Sequence, residues 1–279
     1  MPELPEVETV RRGLAPRLVD HRIVRVLQRR KDLRVPFPGK FAERLDGRRV
    51  LGIDRRAKYL LLRLDDGNTL IAHLGMSGRM TLHDAKSASE HPFDRHDHVV
   101  LDTDEGWQVR FNDARRFGLM LLEPDAAVAG HKLFKGLGPE PLDETFDGAA
   151  LAVRLRGKRT PIKAALLDQR TLVGVGNIYA CEALFLAGVS PRRSAHTVQG
   201  ERAERLVKAI KQVLLRSIDD GGSTLRDHVQ PGGELGYFQT RFNVYDREGA
   251  RCPTPGCGRL VRRVVQAGRS TFYCTRCQR

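Results

Sequence analysis

The last 39 residues of the 279-residue chain hold four of its five cysteines, as Cys252-x4-Cys257 and Cys274-x2-Cys277 with 16 residues between the pairs. In a reducing compartment this spacing describes two metal knuckles rather than disulfides, because paired turns can bring four thiolates tetrahedrally around one zinc ion. A module this small takes much of its folding energy from the metal. A closed four-thiolate site has no open position for water, so the expected cofactor is one structural zinc ion per chain, with no catalytic part. The same stretch carries nine arginines, no lysine and only Asp246 and Glu248 as acids, which is half of the net charge of +14. Cys181 stands apart and reads as a small buried residue.

The whole sequence is basic, with a pI of about 10.1. Such a field favours a polyanionic partner, nucleic acid first. No basic amphipathic helix with an aromatic face supports a membrane surface, and no run of about 18 apolar residues supports a span. The start Met1-Pro2-Glu3-Leu4-Pro5-Glu6 is acidic where a secretory signal is basic, so a cytoplasmic protein is expected. With 41% hydrophobic and 29% charged residues, the composition is globular and long enough for two compact domains and a small appendage.

Short alternating or branched apolar runs recur at residues 23–27, 49–53, 59–64, 69–74, 79–82, 98–101, 107–111 and 119–122, separated by turn signals such as Asp66-Gly67-Asn68 and Glu105-Gly106. They predict an antiparallel sandwich or barrel. Residues 136–143 hold enough Gly and Pro for a linker, after which helical periodicity takes over. Residues 177–187 read as one helix and 200–217 as another, with Leu206, Ile210, Val213 and Leu214 on one stripe.

The turn Leu172-Val173-Gly174-Val175-Gly176-Asn177 opens a helix, a place suited to a phosphate, although a plain connecting turn would look the same. At the other end, a small second residue permits removal of Met1 and exposes a secondary amine on Pro2. Glu3 and Glu6 lie one helical turn apart beside it. Glu3, Glu6 and Glu8 would also be explained by the helix dipole alone, with Arg11 and Arg12 further on. His96-Asp97-His98 places two histidines on one strand face with no third ligand in view and reads as structural.

Pro2-Glu3-Leu4-Pro5-Glu6-Val7-Glu8-Thr9, Lys58 in Ala57-Lys58-Tyr59-Leu60, His73-Leu74-Gly75-Met76-Ser77-Gly78, Asp113-Ala114-Arg115-Arg116-Phe117-Gly118, Val175-Gly176-Asn177-Ile178-Tyr179-Ala180 and the terminal cysteines together resemble the formamidopyrimidine-DNA glycosylases. The resemblance runs in order over essentially the whole chain. It implies an α+β protein with an N-terminal antiparallel β-sandwich and leading helix (1–135), a helix-two-turn-helix domain (136–228), and a lesion-side loop with a zinc hairpin (229–279). Double-stranded DNA containing oxidised bases or abasic sites would be held across the cleft by a monomeric enzyme.

By the same resemblance, Pro2 would attack C1′ of 8-oxoguanine or formamidopyrimidine nucleotides, and the strand would be nicked by β,δ-elimination. Glu3 would protonate the sugar ring oxygen and Glu6 would order the helix start. Lys58 and Arg269, grouped with the catalytic set, would hold phosphates, as would Lys163 and Asn177, and His73 would contact the DNA. Met76, Arg115 and Phe117 would fill the gap left by the flipped nucleotide. Two departures stand out: x4 rather than x2 in the first knuckle, and Arg226 where a lysine is common, which leaves base preference open. An endonuclease VIII-like enzyme for oxidised pyrimidines fits Leu4-Pro5-Glu6-Val7 and Arg115-Arg116-Phe117 less well. A non-catalytic zinc-dependent binder of damaged DNA would have no use for Pro2 and Glu3.

Overall fold

The computed structural model describes residues 2–84, 92–223 and 231–279, and the chain divides into two compact units, residues 1–135 with 220–237 and residues 136–219 with 238–279. The first unit opens with α1 (Leu4–Leu18). Leu4, Val7, Val10, Leu14 and Leu18 recur at helical spacing and are at most 1% exposed, so this helix packs a continuous apolar face. Its start is a reciprocal capping box built from two glutamates: the Glu3 side chain accepts the Glu6 N–H, and Glu6 Oε2 accepts the Glu3 N–H at 2.8 Å.

There follow β1 (Ile23–Gln28), α2 (Phe41–Leu45), β2 (Val50–Arg56), β3 (Tyr59–Leu64), β4 (Asn68–His73), β5 (Arg79–Asp84), β6 (Asp97–Thr103), β7 (Trp107–Asn112), β8 (Leu119–Pro124) and α3 (Asp125–Val128). The strands form two antiparallel sheets, ordered β1-β6-β7-β5 and β2-β3-β4-β8. In β3, Leu60, Leu62 and Leu64 are buried while Arg63 faces solvent, the period of two that the sequence displays. Leu60, Leu62 and Leu70 from one sheet and Val99, Val109 and Phe111 from the other share a core with Val10 and Leu14 of α1. Two sheets closing on one core make a sandwich, which decides against the barrel. The turns fall at Gly67 and Gly106, whose φ values of +75° and +83° only glycine adopts cheaply.

Residues 220–223 and 231–237 belong to the same unit as this sandwich, whereas the sequence bounds put the first group with the helices and the second with the hairpin. Ser223 N–H donates to Glu6 Oε1 at 2.9 Å, Leu82 N–H to the Pro231 carbonyl at 2.7 Å, and Gly13 leaves room for the Pro231 ring where a Cβ would come within 2.8 Å. Arg226 lies outside the described residues.

The second unit contains α4 (Gly148–Leu155), α5 (Ile162–Leu167), α6 (Asn177–Leu186), α7 (Glu201–Asp219), β9 (Arg262–Gln266) and β10 (Arg269–Tyr273). Leu206, Ile210, Val213 and Leu214 form the buried stripe of α7. Helix α6 is buried on every side from Ile178 to Leu184, and its Tyr179 hydroxyl meets Ser217 Oγ of α7 at 2.6 Å. The Gly/Pro stretch is no free linker: Gly138 N–H donates to the Gln169 carbonyl and Val173 N–H to that of Pro139. Cys181 is buried with Val244, Val261 and Phe272. No described helix is long and apolar enough to cross a membrane.

Candidate functional site

Glu3 and Glu6 are 3% and 2% exposed, too buried for carboxylates that serve only to complement a helix dipole. Each is held by backbone donors through the capping box. Glu6 Oε1 also takes both the N–H and the Oγ–H of Ser223, at 2.9 and 3.1 Å, and so ties the start of α1 to the segment leading into residue 224. Pro2 is buried beside them. Glu8, itself 9% exposed, instead binds the guanidinium groups of Arg11, Arg12 and Arg55. Burial raises the pKa of Glu8, but hydrogen bonds from Arg11 and Arg12 and the field of Arg55 outweigh it, so the net shift is downward.

Lys58 sits in the two-residue turn joining β2 to β3 and is 8% exposed. Its neighbour Ala57 adopts φ +54°, a left-handed conformation that costs a non-glycine residue about 1–2 kcal/mol. Strain of this kind gathers where a side chain must be aimed. His73, at the end of β4, has its pKa lowered to about 4 by burial and then by the positive fields of Lys58 and Arg34. It is therefore neutral at pH 7, and because Nδ1 accepts the Gly75 N–H at 2.9 Å, the ring proton lies on Nε2. His73 thus offers one uncharged donor.

Two turns at this end of the sandwich carry the expected gap-filling residues. Met76 is 38% and Phe117 44% exposed, although both belong to side-chain types that a sandwich buries. Arg115 is exposed and lies over the Phe117 ring with its guanidinium 4.8 Å from the centroid. These are surface groups, and a core reading of Met76 and Phe117 is excluded. Ser77 and Asp113 stand in the sequence motifs with no role of their own. Ser77 Oγ–H donates to Asp113 Oδ1 at 2.6 Å and Asp113 Oδ2 accepts the Gly118 N–H at 2.7 Å. His98 is buried, and its Nε2 meets the Asp113 carbonyl at 2.8 Å.

In the second unit the zinc site can be tested by geometry. Zinc–sulfur bonds near 2.3 Å in a tetrahedron require sulfur–sulfur edges of about 3.8 Å. Cys252 and Cys277 are 3.8 Å apart, Cys257 and Cys274 3.6 Å, Cys257 and Cys277 3.4 Å, and all four sulfurs lie within 4.8 Å of one another. The four residues fit one zinc ion and hold it as a structural centre. The longer first knuckle is closed by Gly256 at φ +70° and by a Cys257 N–H bond to the Thr254 carbonyl. A hydrogen bond from the Arg259 backbone brings the Cys257 thiol down to about 7, while burial pushes Cys277 up to about 12. Four crowded sulfurs cannot share negative charge unaided, and a dication removes the conflict.

Arg269 lies exposed at the start of β10, beside the turn Ala267-Gly268 that ends the hairpin. Asn177 opens α6 and donates Nδ2–H to the Ser270 carbonyl at 2.9 Å, leaving its buried Oδ1 without a partner. Lys163, assigned to phosphate by resemblance, is 0% exposed; its ammonium donates to the Ser270 carbonyl at 2.9 Å and to Thr271 Oγ1 at 2.7 Å. Glu182, which sequence reasoning passed over, is buried and accepts four bonds from Asn243, Val244 and Tyr245, anchoring the chain that enters the hairpin.

Comparison with known proteins covers the same three regions. Residues 1–120 match the model of the formamidopyrimidine-DNA glycosylase N-terminal domain, residues 137–229 that of its H2TH domain, and residues 249–279 the zinc finger found in FPG and IleRS. The formamidopyrimidine-DNA glycosylase of Cereibacter sphaeroides is 56% identical over 283 residues, covering 100% of both chains. The crystal structure of the MutM (Fpg) protein of Thermus thermophilus superposes with a TM-score of 0.86 at 42% identity, over 99% of this chain and 98% of that one. Lactococcus lactis Fpg, crystallised with DNA containing N7-benzyl-Fapy-dG, gives 0.88 at 33% identity over 99% of each. With matching domains in the same order and relatives alike from end to end, the chain belongs to the formamidopyrimidine-DNA glycosylase family.

Proposed function

We propose that the protein is a base-excision repair enzyme that removes oxidised purines, 8-oxoguanine and formamidopyrimidines, from duplex DNA and then nicks the strand. The observation that carries this reading is the burial of Glu3 and Glu6 around the Pro2 end of α1, where two carboxylates are kept from solvent at the cost of desolvation. With Met1 removed, the Pro2 nitrogen attacks C1′ and the glycosidic electron pair leaves with the base. Glu3 gives a proton to the ring oxygen, the sugar opens, and a cationic iminium remains as electron sink. Loss of the C2′ proton expels the 3′ phosphate, and a second elimination expels the 5′ phosphate.

Protonation favours this nucleophile. An α-amine with a reference pKa near 7.7–8.0 is roughly a tenth free base at pH 7, against about 0.04% for an ordinary lysine. Lys58, Arg269, Asn177 and neutral His73 hold phosphates of the target strand. Lys163 acts from beneath, fixing the strand that carries Arg269. Met76, Arg115 and Phe117 occupy the gap in the duplex, and Arg115 donates to the orphaned base, for which cytosine offers acceptors. A duplex DNA substrate supports a cytoplasmic location for the enzyme.

Borohydride trapping on a duplex with 8-oxoguanine opposite cytosine tests the mechanism. The DNA adduct is expected on the peptide beginning at Pro2, and retention of Met1 should abolish both trapping and nicking while duplex binding persists. An adduct on Lys58, or normal trapping by Met1-retaining protein, overturns it. A parallel duplex with an oxidised pyrimidine measures how far selectivity extends, since one solved complex of Lactococcus lactis Fpg holds such DNA.

A further inference from the structure

Asp113 is 0% exposed, and none of the chemistry above uses it. A carboxylate is buried at this depth only where every oxygen has donors. Here the donors come from two different turns. Oδ2 accepts the N–H of Gly118, closing the turn on which Arg115 and Phe117 stand, and Oδ1 accepts the hydroxyl of Ser77, the residue after Met76. Ser77 Oγ in turn accepts the Arg115 N–H at 3.1 Å. The result is a directional chain from the Arg115 backbone through the Ser77 hydroxyl to the Asp113 carboxylate, with each proton assigned.

The backbones beneath this chain are in contact. Gly75 has φ +65°, and a Cβ there would overlap the Gly118 nitrogen and the Phe117 carbonyl carbon. Apolar packing alone would close such turns without fixing the angle between their tips; hydrogen bonds with defined donors and acceptors fix it. The tips are solvent-exposed and the polar groups beneath them are buried, which separates the side chains that meet the partner from those that aim them.

We infer that Ser77 and Asp113 are positioning residues that join the Met76 turn to the Arg115 and Phe117 turn, so that the three side chains enter the duplex as one rigid unit. This rests on the gap-filling role proposed for those three residues. Ser77→Ala removes the hydroxyl and leaves the Asp113 carboxylate and the Arg115 N–H each short of a partner. If the two turns act as one, the loss appears in how the orphaned base is read, since discrimination depends on where the Arg115 fork lies.

The test compares wild type, Ser77→Ala, Arg115→Ala and the double variant on duplexes with 8-oxoguanine opposite cytosine or adenine. Insertion into the stack is followed by the fluorescence of 2-aminopurine placed beside the lesion. Ser77→Ala is expected to lower the cytosine-to-adenine preference about tenfold, the scale of one lost buried hydrogen bond. It should also slow the 2-aminopurine signal, and it should cost nothing further in the Arg115→Ala background. Cleavage of a single-stranded abasic oligonucleotide, which needs no gap filling, should not change. Wild-type discrimination in Ser77→Ala, or a loss that adds in full to that of Arg115→Ala, overturns the inference while the gap-filling role stands. Unchanged discrimination in Arg115→Ala alone overturns that role and the inference with it.

Discussion

Two hairpin turns in this molecule each present a cation, and they are built in opposite ways. Lys58 follows Ala57 in the turn between β2 and β3, part of a four-stranded sheet that shares its core with α1 and the facing sheet. Arg269 follows Ala267 and Gly268 in the turn between β9 and β10, a ribbon of two strands among the described residues. A ribbon of this size is marginal in water. It is supported from outside, by the cysteine cluster, by Lys163 and Asn177 on the Ser270 carbonyl, and by Glu182 beneath residues 243–245. The sandwich positions its cation by burying a large apolar core, whereas the hairpin has only a small apolar cluster, Val261 and Phe272 with Cys181 and Val244, and adds to it a metal and a few charge-assisted bonds. Removing one ligand should therefore be tolerated in one region and ruinous in the other.

The largest expected effect follows directly. Structural zinc contributes on the order of 10 kcal/mol to isolated fingers, comparable to a domain's whole margin of stability. Cys274→Ser should take the zinc content from one ion per chain to none, unfold the hairpin, and weaken duplex binding on the order of a hundredfold as ordered arginines are lost. The single tryptophan, Trp107, lies in β7 under the Arg17 guanidinium and so reports on the sandwich alone. Its unfolding transition should stay in place. Protein that contains no zinc yet binds DNA normally would erase the distinction between the two regions.

A smaller effect belongs to the sandwich. His73 has a pKa of about 4 in the folded protein, below the ordinary 6.5, because it is buried beside Lys58 and Arg34. Between those values the unfolded chain binds the proton and the folded chain resists it. The stability associated with neutral His73 is thus fully present above pH 6.5 and is lost as pH falls toward 4, amounting to at most about 3 kcal/mol. Urea unfolding followed by Trp107 should become easier over this window in the wild type and much less so in His73→Asn. Equal acid sensitivity in both proteins would show that the imidazole is solvated.

The sandwich was legible in the sequence because its signals are local. Leu60, Leu62 and Leu64 alternate within β3, Gly67 and Gly106 mark turns, and the stripe of Leu206 and Ile210 gives α7 away. The cysteine spacing announced the knuckles for the same reason. What stayed hidden joins residues far apart in the chain. The resemblance assigns Lys163 to phosphate, and nothing local says that its ammonium also meets Ser270 and Thr271, 107 and 108 positions on. Ser223 meeting Glu6, and Ser77 meeting Asp113, are likewise pairings of common polar residues without a composition signal. Exposure was legible only through the resemblance, since by side-chain type alone Met76 and Phe117 look like core residues.

The smallest effect makes the sharpest comparison, since one substitution can be placed in both turns. Ala57 and Ala267 each hold a left-handed backbone, at φ +54° and +48°. Glycine relieves about 1–2 kcal/mol of strain there but adds about 0.5–1 kcal/mol of unfolded-state entropy. At Ala267, which is exposed, little else changes, and Ala267→Gly should stabilise the hairpin slightly. Ala57 is 1% exposed, so Ala57→Gly also gives up the burial of a methyl group, about 0.8 kcal/mol, and the net change should lie near zero. Its cost should appear in aim instead, because a freer turn holds Lys58 less firmly: a few-fold rise in KM for duplex substrate with kcat nearly constant. Zinc-saturated protein melted in parallel with substrate kinetics would separate the two cases. If Ala57→Gly stabilises as Ala267→Gly does and leaves KM untouched, the strained turn has no part in holding the lysine, and the two hairpins differ in stability alone.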